Sequence, residues 1–146
     1  MTPEQKRTLE AVLDEIIPPS SDEKFPGAGS LGLTEDIESK VGARWASIAK
    51  GLAKLDELSR SHGGESFAEL ADEERQPILN ELAMTQPTLL PSLIAPTYSA
   101  YYRAARVLEA LGRDPRPPYP EGYELDAGDL GLLDPVRARS KLYRDV

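Results

Sequence analysis

The sequence predicts an all-α fold, on three observations. Apolar residues recur at steps of three and four in segment after segment. No run alternates apolar with polar at the period of two that a half-buried strand needs. Hydroxyl-bearing or acidic residues and prolines stand where these segments start, and glycines and prolines where they stop. Residues 1–146 read as a single helical domain, an irregular bundle of about five to six helices with a proline-rich extended segment near the C-terminus.

Thr2, Pro3 and Gln5 predict a helix start, with a hydroxyl cap, proline in the first turn and a glutamine reaching back to the cap amide. Leu9, Val12, Leu13 and Ile16 give this helix one apolar face, and Pro18-Pro19 end it. Residues 20–32 read as a loop pinned by Phe25. Thr34 and Asp36 open a long helical pattern carrying Ile37, Val41, Trp45, Ile48, Leu52, Leu55 and Leu58. Gly42 and Gly51 fall inside it, where a bend or close packing is expected, and His62-Gly63-Gly64 end it.

After a short turn at Ser66 and Phe67, Asp72 is expected to cap a third helix that buries Ile78, Leu79 and Leu82, with Pro77 late for a first turn. Gln86-Pro87 opens a fourth helical region bearing Leu89, Leu90, Leu93, Ile94, Tyr98, Tyr101 and Tyr102, in which Pro96 should make a kink. Val107, Leu108 and Leu111 continue the stripe to a glycine stop at Gly112. The segment from Pro115 to Tyr123 is too rich in proline for helix or inner strand and reads as a stiff strap along a surface. Beyond an irregular stretch, Asp134-Pro135 opens a last helix with Val136, Leu142 and Tyr143 inward and Arg137, Arg139, Lys141 and Arg144 outward.

Composition narrows the chemistry. The chain has no cysteine, which removes thiol nucleophiles, thiolate metal sites and disulfides. A formal charge of -8 without a basic stripe makes nucleic acid and anionic lipid poor partners. No apolar run approaches the roughly 20 residues of a spanning helix. No signal peptide or twin-arginine motif opens the sequence, so a cytoplasmic place is expected as given, and a periplasmic one if a leader was removed or a partner directs export.

Candidate sites are few. The lone His62 cannot build a zinc site, and its helix-end position suits a dipole complement. Asp72, Glu73 and Glu74 read as ordinary first-turn acids, and Asp126, Asp129 and Asp134 lack the ligand spacing of a calcium loop. No nucleophile elbow is present, and Gly27-Ala28-Gly29 follows no strand. Tyr98, Tyr101 and Tyr102 fit two readings, a face packed into its own core or a protein interface, where tyrosine and arginine are enriched. The strap residues Arg116, Pro117, Pro118, Tyr119 and Tyr123 fit an interface on the same ground, so these eight positions are the candidate partner-binding set.

The ordered set Thr8-Leu9-Glu10-Ala11, Ile16-Ile17-Pro18-Pro19, Pro26-Gly27-Ala28, Gly51-Leu52, Leu55-Asp56, Phe67, Leu70, Tyr101-Tyr102, Leu111-Gly112, Arg116-Pro117-Pro118, Gly122-Tyr123 and Asp134-Pro135-Val136-Arg137 resembles the gluconate 2-dehydrogenase subunit 3 family. The resemblance implies a non-catalytic small subunit, with no cofactor of its own, that supports folding, stability or export of a large flavin-dependent dehydrogenase of the glucose-methanol-choline (GMC) type. In such complexes the large subunit holds FAD, oxidises sugars, sugar acids or polyols, and commonly passes electrons to a cytochrome c subunit. Many members of the family begin with a twin-arginine signal, which this sequence does not show. Two rivals remain open: a stand-alone enzyme using Asp126 and Asp129, and a helical interaction module or homo-oligomer without a dehydrogenase partner.

Overall fold

The computed structural model describes residues 1–116, 122 and 126–140, and among them the fold is all-α, with no strand. The chain divides into two compact units, Met1–Arg116 and Pro117–Val146.

In the first unit, α1 (Pro3–Ile16) starts as its sequence dictates: Thr2 Oγ1 accepts the Gln5 amide at 3.2 Å, and Gln5 Oε1 accepts the Thr2 amide at 2.9 Å. Leu9, Val12 and Leu13 are fully buried. The following loop folds back on α1 and makes a single turn at Ala28–Leu31, with Phe25 packed against the core. Here two glycines allow a close approach, and the one at 29 faces backbone. A Cβ on Gly29 would stand 2.2 Å from the Glu10 carbonyl, and one on Gly27 would stand 2.3 Å from the Asp14 carboxylate. That closeness lets the Gly29 amide donate to Asp14 Oδ1 at 2.8 Å.

The long pattern from Thr34 to Leu58 is two helices, α2 (Thr34–Val41) and α3 (Trp45–Ser61). Gly42 separates them with φ +52°, which ends the helix rather than bending it. Thr34 does not act as a cap: Leu33 stands at that position, and among the described residues the buried Thr34 hydroxyl has no partner. Gly51 marks close packing as expected, since a Cβ there would come within 2.7 Å of Leu89 Cδ1. Asp56 on α3 accepts Thr8 Oγ1 at 3.0 Å and the Phe67 amide at 3.0 Å, fastening α1 and the turn Phe67–Glu69 to α3.

Helix α4 (Asp72–Thr85) runs through Pro77. Its cap differs from expectation: Ala71 occupies the N-cap, Glu74 accepts the Ala71 amide at 3.0 Å, and Asp72 pairs with Arg75 at 2.9 Å. Helix α5 (Leu89–Tyr101) continues through Pro96, and Thr97 bonds back to the Leu93 carbonyl at 2.7 Å within the core. Helix α6 (Ala105–Ala110) ends at Gly112, φ +71°, with Arg113 donating to the Leu108 carbonyl and Gly112 to that of Glu109, both at 2.9 Å, the paired bonds of a Schellman stop. The core gathers the inner faces of α1 to α6, with Phe67 at 0% exposure among them.

In the second unit, a turn at Leu130–Leu133 leads into α7 (Asp134–Arg137). Val136, expected inward, is exposed: a helix of one turn has no length over which to bury a stripe. Leu142 and Tyr143 lie outside the described residues.

Candidate functional site

Helix α5 departs from the usual build of a surface helix. From Leu82 to Tyr102 the chain carries no Asp, Glu, Lys or Arg, although 29% of the whole sequence is charged. A helix apolar on every side is ordinarily enclosed on every side. Here only one side is. Leu89, Leu93, Thr97, Ala100 and Tyr101 are buried, whereas Ile94, Tyr98 and Tyr102 face outward at 45%, 44% and 50% exposure. These three lie four residues apart, so they form one ridge along the helix. The partly buried Leu90 begins it; Met84, on α4, is a separate apolar side chain at 86% exposure.

The sequence set three tyrosines side by side, and the structure separates them. Tyr101 is buried and donates its hydroxyl to the Pro26 carbonyl at 2.9 Å, tying α5 to the loop after α1, so it is not part of the exposed surface. Burial also pushes its phenol above the ordinary value, with Tyr102 a lesser cause. Its ring meets Tyr102 edge-on at 5.3 Å, and Tyr102 lies 6.2 Å from Tyr98. The buried ring thereby sets the position of the exposed pair. Among the described residues, the hydroxyls of Tyr98 and Tyr102 have no hydrogen-bond partner.

The far end of α5 is braced by charge. Arg103 donates to Asp36 at 2.6 Å and to the Ser99 carbonyl at 2.9 Å, while Lys40 reaches Ser99 Oγ at 3.0 Å. Burial tends to raise the Asp36 carboxyl, but the bonds from Arg103 and Lys40 outweigh it and hold it below the usual range. The ridge is therefore a fixed surface, joined to α2 by these bonds.

Beside the ridge, a groove opens between α1, α4 and α5, a cavity of about 320 Å³ walled by Ile16, Leu79, Leu90, Ile94 and Tyr98. Its polar members are Glu15, Gln76 and Asn80, and Gln76 donates to Glu15 at 2.7 Å. Periodicity places Ile94 in the apolar pattern of this helix but does not mark it as a site residue, and it does not reach Met84. The absence of charge over residues 82–102 is the signal that would have found them.

The other candidate positions have local partners. His62 ends α3 with Nδ1 3.0 Å from the Leu58 carbonyl. Asp129 accepts the Gly131 amide at 2.9 Å, and Asp134 pairs with Arg137 at 3.2 Å. Among the described residues, no three His, Asp or Glu side chains are grouped to hold a metal ion. The Arg116 backbone and guanidinium both bond Asp114, with the amide contact at 3.0 Å, and this holds the Asp114 carboxyl low. Pro117, Pro118, Tyr119 and Tyr123 lie outside the described residues.

Among the described residues no helix is long and apolar enough to cross a membrane. No curated protein and no solved structure matches the chain. A family does: the model for Gluconate 2-dehydrogenase subunit 3 matches residues 3–111, a span that holds α1 to α6 and the whole ridge and stops before the proline strap. With three quarters of its length matched, the chain belongs to the gluconate 2-dehydrogenase subunit 3 family.

Proposed function

We propose that this protein is the non-catalytic small subunit of an FAD-dependent GMC-type dehydrogenase acting on a sugar, sugar acid or polyol, and that it binds the large subunit through the outer face of α5. FAD and the oxidation belong to the large subunit, which passes its electrons to a cytochrome c subunit; the small subunit supports the folding, stability or export of its partner. The observation that carries this reading is the ridge Ile94, Tyr98 and Tyr102, an exposed apolar face on a charge-free helix inside the family-matched body. Rigid aromatic side chains with polar tips are the residues on which interfaces concentrate their energy. The strap residues Arg116, Pro117, Pro118, Tyr119 and Tyr123 form a second contact in this proposal.

The test is co-expression of this chain with the GMC-type large subunit of the same organism, followed by the yield of soluble, FAD-loaded dehydrogenase. Omitting the small subunit should lower that yield. Replacing Tyr98 and Tyr102 together by alanine should abolish co-purification while leaving the helical circular dichroism of the small subunit intact. Equal yield and activity of the dehydrogenase with and without this chain would overturn the assignment.

A further inference from the structure

We infer that the groove between α1, α4 and α5 receives an amphipathic segment of the dehydrogenase, with two apolar side chains about one helical turn apart and a lysine or arginine beside them. This rests on the reading above that a dehydrogenase is the partner, and adds the chemistry of what it inserts. The apolar half follows from the walls. Leu79 lies at the floor and is buried, Leu90 is partly covered, and Ile94 and Tyr98 rise along one side a single turn apart. That spacing matches the anchor spacing of a helix laid into a groove. The cavity, about 320 Å³, takes side chains rather than a folded body.

The cationic half follows from the end of the groove. Helix α1 stops there, at Ile16, and presents the negative pole of its dipole with no basic residue in its last turn. Glu15 sits in that same turn and lines the groove, whereas Asp14 turns to the loop after α1, where it accepts the Gly29 amide. Arg75 answers Glu15, and it is divided: its Nη1 lies 2.9 Å from Asp72 and 3.8 Å from Glu15, and its Nη2 donates to the Ala68 carbonyl at 3.1 Å. One guanidinium is shared between two carboxylates and a carbonyl, beside a helix C-terminus. An incoming lysine or arginine supplies the missing charge, whereas an acid is repelled. A second copy of this chain is a poor occupant on the same ground, because it brings its own net charge of -8.

The experiment measures binding of the full-length chain to the GMC-type large subunit of the same organism at low and high salt. The variants are Ile94→Asp, Glu15→Gln and, as a charge-changing control on α2, Glu35→Gln. Glutamine at position 15 keeps the size of the side chain and an acceptor for Gln76, and a thermal melt confirms that each variant is folded. Ile94→Asp should weaken binding by about tenfold or more. Glu15→Gln should weaken it severalfold at low salt and flatten its salt dependence, because the attraction it removes is screened by ions. Glu35→Gln should stay within about twofold of the parent. If the large subunit binds all four proteins alike, the groove is not the site, although the subunit assignment stands. Wild-type affinity that is unchanged or strengthened by salt refutes the cationic segment. Failure of the wild-type chain to bind the large subunit refutes the assignment and this inference together.

Discussion

Replacing Asp56 by alanine tests the tie that holds α1, α3 and the turn Phe67–Glu69 in register. The carboxylate accepts Thr8 Oγ1 at 3.0 Å through both oxygens and the Phe67 amide at 3.0 Å, and both donors belong to buried residues, Thr8 at 1% and Phe67 at 0% exposure. A hydrogen bond to a charged acceptor contributes about 1.5–3 kcal/mol, and a buried donor left without a partner adds its own desolvation cost. Asp56 lines an open, polar cavity with Glu4, Arg7 and Arg60, so solvent reaches it and the low end applies to each bond. The expected loss is therefore about 3 kcal/mol, a Tm lowered by roughly 10 °C for a chain of this size. Urea unfolding followed by the fluorescence of the single tryptophan, Trp45, measures it by linear extrapolation. Thr8→Val removes one donor and keeps the other, so it should cost about half as much, and the cycle pairing it with Asp56→Ala should show a coupling of about 1 kcal/mol or more. An Asp56→Ala protein within about 0.5 kcal/mol of the parent would refute the argument, since that is the effect of an ordinary surface change.

Two further substitutions follow from particular bonds. Tyr101→Phe should lose about 1–2 kcal/mol in the same unfolding assay, because the Pro26 carbonyl is left without its donor, whereas Tyr98→Phe should change stability by less than about 0.5 kcal/mol. Asp14 carries a pH signature: burial raises its carboxyl above the ordinary value, with the Gly29 bond and Arg75 opposing, so the folded state binds a proton more readily than the unfolded chain. Its contribution to stability is full below the unfolded value of about 3.9 and is lost as pH rises through the folded value. Asp14→Asn keeps an acceptor for Gly29 and has no charge to bury, so its stability relative to wild type should improve from acid to neutral pH. A difference that runs the other way would sink this reading.

Where the fold was legible, a local rule was sufficient. The cap at Thr2, the stop at Pro18-Pro19 and the glycine stop at Gly112 each follow from residues within one turn of one another. The break at Gly42 was not legible, because a glycine in a helical pattern fits a bend or a stop equally well until its φ is known. The cap of α4 misled for a related reason: with Asp72 and Glu74 both present, only the fold decides that Glu74 reaches the Ala71 amide while Asp72 turns to Arg75. The site shows the same limit. Tyr98, Tyr101 and Tyr102 share one turn, and which ring goes inward depends on the Pro26 carbonyl, 75 residues away from Tyr101 in the chain. The exposed face of α5 left a trace in the sequence as a long interval without charge, but a pattern that holds Leu89 and Leu93 together with Leu90, Ile94 and Tyr98 does not say which side stays uncovered.

That uncharged helix has a bearing on how the protein behaves when made in excess. A protein with a greasy flank is prone to clump with its own kind, and the surplus of acidic groups in the chain works against this by keeping like copies apart. Dispersal of the purified chain then depends on dilute electrolyte: light scattering should show small particles at low ionic strength and growing clusters as added salt masks the repulsion.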